Sequence, residues 1–309
     1  MAARDDDDTG SRTARFEAVR PGLLRLAYRM TGSRAEAEDI LQDAWLRWQR
    51  ADIAAVGNDR AYLSRTVARL AIDHMRRIAV RRETYVGPWL PEPLPTTDVP
   101  ASLSGGDPGS GLDLAEDVSL ALMMVLESLA PEERAAFLLR EAFDLPYEEL
   151  SATLGKSEDA CRQMVSRART RLRERRPRFE ATDEDHTRLL AAFSEAAQAG
   201  DVAAIAALLT ADASIVTDGG GKVSAALRVV TGAADVAKLV AHVATRAGAP
   251  QGSVRLARIN GRPGFVVGGE AHPEMYYSID VEEGRIAAVY VVRNPDKLAR
   301  LGEPPLGTA

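Results

Sequence analysis

One cysteine, Cys161, stands in 309 residues, so no internal disulfide can form and no zinc site can rest on thiolates. The four histidines are scattered, with no ligand spacing such as HExxH, and neither a metal nor another cofactor is expected. No run of about 18 apolar residues occurs, which excludes a membrane-spanning helix. The opening MAARDDDDTG lacks the apolar core of a secretory signal. Residues 1–10 are therefore expected as a disordered acidic tail. A cytoplasmic protein with no membrane partner is the simplest fit.

What is present is an ordinary globular composition, 46% apolar and 27% charged. The net charge of −6 looks wrong for a partner of nucleic acid, but it averages over an asymmetric chain. Between Ser11 and Val86 there are 15 arginines against 9 acids, and between Lys156 and Arg178 there are 9 basic residues against 3 acidic. Two separated basic stretches are the footprint of phosphate contact at two places.

Periodicity divides the chain. Phe16, Val19, Leu23, Leu26, Ala27 and Met30 recur at three- and four-residue steps, one helical stripe. Thr31-Gly32-Ser33 ends that helix, and Ser33 can cap the next, with Glu36 at the capping-box position. A third helix is predicted from about 60 to 82, after a loop at 54–58. Residues 83–116 carry six prolines and the stretch SGGDPGSG, which read as a linker and a boundary. Helices resume over 117–176. From 183 the texture becomes α+β: a helical pair to Leu209, a helix over 233–247, and strands at 213–217, 225–230, 253–259, 264–267, 275–281 and 285–292. Asn260-Gly261 and Glu283-Gly284 mark hairpin turns.

The sharpest local motif is a helix–turn–helix over 147–169, two short helices joined at Gly155. Leu150, Leu154, Ala160 and Val165 are expected to face inward. Lys156, Ser157, Glu158, Arg162, Gln163, Ser166, Arg167 and Arg169 are expected to face out. Arg and Gln at the front of a second helix can read base edges in the major groove, while basic neighbours hold phosphate. Cys161 is expected as a small core residue.

Three segments then carry a resemblance. GSRAEAEDILQDAWLRW resembles the core-binding helix of sigma factor domain 2, DRAYLSRTVARLAIDHMRRIAVRRE resembles its −10 helix, and the stretch from LAPEERAAFLL to SRARTRL resembles sigma domain 4. Together they look like an extracytoplasmic-function sigma factor of the sigma-70 family over about 11–176. The resemblance implies two all-α sigma domains, 11–82 and 117–178. Its implied partners are core RNA polymerase, through the β′ clamp helices and the β flap, and promoter DNA. By resemblance, Asp39, Gln42, Asp43, Leu46 and Trp48 would meet the clamp helices. Asn58 would hold a flipped −10 base, Tyr62 is the nearby melting aromatic, and Arg60, Arg65, Arg69, Arg76 and Arg77 would follow the strand backbone. Asn58 as a plain helix cap stays open as an alternative.

The C-terminal third narrows the subgroup. Trp89-Leu90-Pro91-Glu92-Pro93, Asp218-Gly219-Gly220-Gly221-Lys222 and Asn294-Pro295-Asp296-Lys297-Leu298 resemble three signatures of sigma factors with a SnoaL-like extension. That implies an α+β, cone-shaped barrel over 180–309 that regulates the sigma domains. Physically, WLPEP is a stiff, nearly extended peptide suited to docking in a groove, and DGGGK offers a turn that another segment can approach closely. SnoaL-like barrels include cyclases with an acid–base pair. Asp218, His242, Glu270, His272 and Asp280 are the candidates, but their spacing fixes no pair. The rival readings are a helix–turn–helix regulator with a small-molecule-sensing domain, and a SnoaL-like enzyme with a DNA-binding anchor. An unknown small ligand or regulatory protein remains open as a further partner.

Overall fold

In the computed structural model, α1 (Ala2–Thr31) and α2 (Arg34–Gln49) pack side by side. The structure describes residues 2–95, 119–175, 182–245, 253–269 and 273–302. The helix break falls where the sequence places it. Gly32 takes φ 71°, and the Ser33 hydroxyl accepts the Glu36 N–H. The segment expected as a disordered acidic tail instead overlaps α1, which starts at Ala2. Leu23, Leu26 and Met30 of α1, Ile40, Leu41 and Ala44 of α2, and Leu63, Val67 and Ala71 of α3 (Asp59–Glu83) are all buried.

By contacts, 2–82 and 122–175 form one compact unit, while 83–95, 119–121 and 182–302 belong to a second. The first also contains α4 (Leu120–Glu127, from Leu122 on), α5 (Pro131–Phe143), α6 (Tyr147–Leu154) and α7 (Glu158–Arg175). Pro131 sits at the start of α5, where a missing N–H costs nothing. Gly155, in the left-handed region at φ 64°, closes α6. The Ser157 hydroxyl accepts the Ala160 N–H and caps α7. Arg134 of α5 is 1% exposed, and its guanidinium donates to the Met30 carbonyl at the end of α1 and to Glu127.

The second unit sets α8 (Asp183–Ala199), α9 (Val202–Leu208) and α10 (Ala233–Thr245) on a mixed six-stranded sheet. Its strands are β1 (Leu209–Asp218), β2 (Val230–Thr231), β3 (Val254–Ile259), β4 (Arg262–Gly268), β5 (Pro273–Glu282) and β6 (Arg285–Val292). The order is β2-β1-β6-β5-β4-β3, with β1 and β6 parallel and the other pairs antiparallel. Leu190, Phe193, Ile205 and Val236 from the helices bury against Ile279, Ile286 and Val289 of the sheet. This is the SnoaL-like α+β architecture, but the sheet is open rather than a closed barrel, because β2 and β3 are its two edges. The strand predicted over 225–230 shrinks to β2. Thr217 fixes Ala226 through both its N–H and its carbonyl, so the segment before β2 crosses the end of β1 instead of pairing along it. Asn260-Gly261 and Glu283-Gly284 form the tight β3–β4 and β5–β6 turns, all four residues at positive φ, as type I′ hairpins require.

Candidate nucleic-acid, polymerase and linker-binding surfaces

On α2, Asp39, Gln42, Asp43 and Leu46 fall at i, i+3, i+4 and i+7 and all are exposed, an acidic face with an apolar end. Trp48 does not belong to it. Its side chain is wholly buried, its indole N–H donates to the Arg12 carbonyl at 3.0 Å, and Arg15 lies over its ring. Its position, nine residues beyond Asp39, turns it towards α1 and Tyr62, so it anchors this domain from within.

Before α3, a pocket of about 480 Å³ opens between Ala51 and Tyr62, with Asn58 and Arg65 in its wall and Glu149 of α6 at its edge. The Asn58 side-chain oxygen accepts the Ala61 N–H at 3.0 Å, so Asn58 caps α3 while it lines the pocket. The arginines of α3 are occupied. Arg65 pairs with Glu149 at 2.7 Å. Arg69 donates to the carbonyls of Ala152 and Thr153, and Arg60 to that of Ala142 while stacking on Phe143. Arg76 pairs with Glu132. Arg77 bonds within α3, to the Asp73 carbonyl, and Arg76 also lies 3.8 Å from Asp73. Carbonyl and carboxylate oxygens of α5 and α6 thus stand against the groups expected to follow a phosphate backbone. Sequence reasoning had no signal for this arrangement.

On α7, Cys161, Met164, Val165, Ala168 and Leu172 are buried. Burial pushes the Cys161 thiol up, which disfavours the reactive thiolate. Arg162, Gln163, Ser166, Arg167 and Arg169 are exposed on the other side, beyond Lys156 and Ser157 at the turn. Much of that charge is locally balanced. Arg162 pairs with Glu158 and Asp159, Arg167 and Arg171 share Glu133, and Arg169 meets Glu141.

In the second unit the three short signatures meet around one carboxylate. Asp218, at the end of β1, is fully buried. Its Oδ2 accepts the Leu90 N–H at 2.8 Å and the Lys297 ammonium at 2.7 Å. Its Oδ1 accepts the Tyr85 hydroxyl at 2.5 Å and the Gly220 N–H at 3.1 Å. Burial first, then the bond to Asp218, holds the Tyr85 hydroxyl above the ordinary tyrosine range, so it stays a donor. Asn294 donates to the same hydroxyl and caps α11 (Pro295–Leu298). Lys297 also donates to the Leu90 carbonyl and lies 4.1 Å from the centre of the Trp89 ring, a cation–π contact. Lys222 pairs with Asp296, and Leu298 is buried below them.

The glycines are forced. A Cβ on Gly220, at φ +59°, would lie 2.4 Å from the Asn294 amide nitrogen, and one on Gly219 would lie 2.5 Å from the Val223 carbonyl oxygen. Further along, Pro91, Glu92 and Pro93 are buried. The Asn260 side chain accepts the Leu94 N–H while its backbone N–H donates to the Leu94 carbonyl. Residues 85–95 are thereby clasped to this unit at two points. Asn260 was legible only as a turn residue; its clasping role has no local signature.

Of the acid–base candidates among the described residues, only His242 lines the large cavity of this unit. Asp218 is held in the clasp, Asp280 accepts the Val281 N–H, and Glu270 and His272 lie outside the described residues. No group of three or more His, Cys, Asp or Glu suited to a metal occurs among the described residues, and no described helix is long and apolar enough to cross a membrane.

Comparison with known proteins matches sigma-70 region 2 at residues 15–81 and sigma-70 region 4 at 119–172. The ECF RNA polymerase sigma factor SigJ of Mycobacterium tuberculosis is 38% identical over 292 residues, 91% of each chain. The crystal structure of M. tuberculosis SigJ superposes with a TM-score of 0.72 at 35% identity, over 95% of this chain and 99% of that one. With both sigma regions in order and similarity continuing through the C-terminal unit, the chain belongs to the extracytoplasmic-function sigma factors of the sigma-70 family.

Proposed function

We propose that the protein directs core RNA polymerase in the cytoplasm to a set of promoters, and that the clasp on residues 85–95 regulates this work. The observation that carries the regulatory part is the convergence of Tyr85, Leu90, Gly220, Asn294 and Lys297 on Asp218. The α2 face of Asp39, Gln42, Asp43 and Leu46 would meet the β′ clamp helices, and the region-4 helices the β flap. The pocket beside Asn58 would take an unstacked −10 base, with Tyr62 in its wall, and α7 would read the −35 element. Both DNA-reading surfaces are basic, as phosphate contact requires.

The contacts of α3 with α5 and α6 support a resting form. Single-stranded DNA along α3 needs the guanidiniums of Arg60, Arg65, Arg69 and Arg76, and region 4 holds all four. Loading would exchange these oxygens for phosphates, and polymerase, by binding both regions, would supply the free energy for opening.

The test is core-dependent run-off transcription from a promoter library by the full chain, Asp43→Arg and Asp218→Ala. Promoter-specific transcripts are expected from the wild type. Asp43→Arg should lose core affinity in a pull-down titration, and Asp218→Ala should change transcript yield while core affinity stays level. Absence of specific transcripts would overturn the main reading, and wild-type yields from Asp218→Ala would overturn the clasp.

A further inference from the structure

The second unit holds a half-open cavity of about 620 Å³ between α8, α10 and the sheet, well inside the roughly 300–1,000 Å³ typical of small-molecule sites. Phe193, Leu239, Val267 and Met275 are among its apolar lining. His242 also lies on its wall, and other polar side chains there are held by neighbours. Gln198 donates to the Ser194 hydroxyl, which bonds Tyr277, and Thr217 is held by Ala226. No described lining residue is acidic, whereas Arg293 brings a positive charge. An apolar occupant with one negative group satisfies such a wall, and a cation does not.

The cavity also adjoins the clasp through the chain itself. Thr217 precedes Asp218, Ser224 follows the DGGGK turn, and Arg293 precedes Asn294. Arg293 donates through its guanidinium to the Ser224 carbonyl at 2.7 Å and through its backbone N–H to the Asp218 carbonyl at 2.7 Å. One side chain thus lies in the cavity wall, braces the DGGGK loop and leads directly into the NPDKL helix.

We propose that this cavity is a receptor site for an apolar small molecule carrying one acidic group, and that the Arg293–Ser224 contact passes its occupancy to the Asp218 clasp. The second half rests on the clasp reading above; the first does not. Such a ligand competes with the Ser224 carbonyl for the Arg293 guanidinium, and the loop that cradles Leu90 and Tyr85 loosens.

The experiment uses the full chain with anilinonaphthalenesulfonate, an apolar aromatic monoanion, and with decanoate and decanol as competitors. One saturable site is expected, from which decanoate displaces the dye and decanol does so at least about tenfold less well, the factor a charged hydrogen bond contributes. Ala197→Trp, which fills the cavity, should abolish binding, with Val240→Phe as the substitute if that variant does not fold. Arg293→Gln should weaken decanoate by a similar factor and dye binding through its apolar body less. Hydrogen exchange over 85–94 should quicken at saturating decanoate. Absence of saturable binding, binding indifferent to both filling variants, or equal competition by decanol would overturn the site. Unchanged exchange with decanoate bound would overturn the coupling. Asp218→Ala separates the two readings, since it should free 85–94 with no ligand while decanoate still binds, at least as tightly as to the wild type.

Discussion

At Arg162 the structure and the expected function pull on the same guanidinium. It pairs with Glu158 and Asp159 one helical turn back and lies 5.1 Å from the Tyr147 ring centre. Exposed pairs of this kind contribute about 0–1 kcal/mol, so Arg162→Ala should cost little stability. If the guanidinium turns to a base in the −35 element, the same change should weaken promoter binding by about 1–3 kcal/mol and relax selectivity at that base. Anisotropy titrations against matched and single-base-changed duplexes separate the two effects; unchanged affinity in a folded variant removes Arg162 from the reading set. Gly220 is the opposite case, a residue whose lack of a side chain is the function. Its left-handed backbone and the Asn294 amide 2.4 Å from a would-be Cβ predict that Gly220→Ala costs about 2 kcal/mol or more. Denaturant melts should show this loss, along with faster exchange at Leu90. A variant as stable as wild type would mean that the DGGGK turn relaxes without cost.

At the scale of elements, contacts between α3 and the pair α5–α6 suggest a latch. The Arg65–Glu149 pair is about one-third exposed on each side, so it is worth under about 1 kcal/mol and is screened by salt. Glu149→Ala should therefore raise the affinity of the free protein for a labelled −10 single strand about two- to fivefold, and Glu132→Ala combined with it should raise it further, because Arg76 loses its Glu132 partner too. Equal or weaker binding by the double variant would show that these carboxylates do not compete with DNA. None of this was readable in the sequence. Helix stripes and breaks were, because periodicity and capping are local: Gly32, Ser33, Pro131 and Gly155 all do what their types dictate. Pairing between residues 84 apart, such as Arg65 and Glu149, leaves no periodic trace. Trp48 differs: the family resemblance, not its spacing, assigns it to the acidic face, while nine residues beyond Asp39 it falls on the opposite side of α2, where Arg12 and Tyr62 from other helices meet it. The clasp is intermediate. Its three signatures stand out by composition, but their convergence on Asp218 depends on the parallel β1–β6 pairing, which brings Asp218 beside Val292 and was not derivable from strand patterns.

At the scale of the whole molecule, the clasp acts on chain length. Between the end of α3 at Glu83 and the start of α4 at Leu120, residues 84–119 join the two sigma regions. Fully extended, those 36 residues could span at most about 120–130 Å. With 85–95 bound to the second unit through Asp218 and Asn260, only residues 96–119 still set the reach beyond the clasp, at most about 80–85 Å. The clasp therefore withdraws about a third of the contour from the tether. Tethered binding to two elements depends steeply on whether the tether matches their separation, and each added base pair moves the −35 element by about 3.4 Å along the duplex. Trp89→Ala removes the cation–π contact with Lys297 and the partial burial of a large ring, which together hold the clasp by a few kcal/mol at most. It should therefore broaden spacer tolerance. Relative to the wild type at matched protein levels, transcription from promoters with spacers two or three base pairs longer should rise against that from the preferred spacing. Removal of residues beyond about 180 should do the same, since the clasp loses Asp218, Asn294 and Lys297 together. Superimposable spacer profiles for the wild type, Trp89→Ala and the truncation would mean that the clasp does not act by shortening the tether.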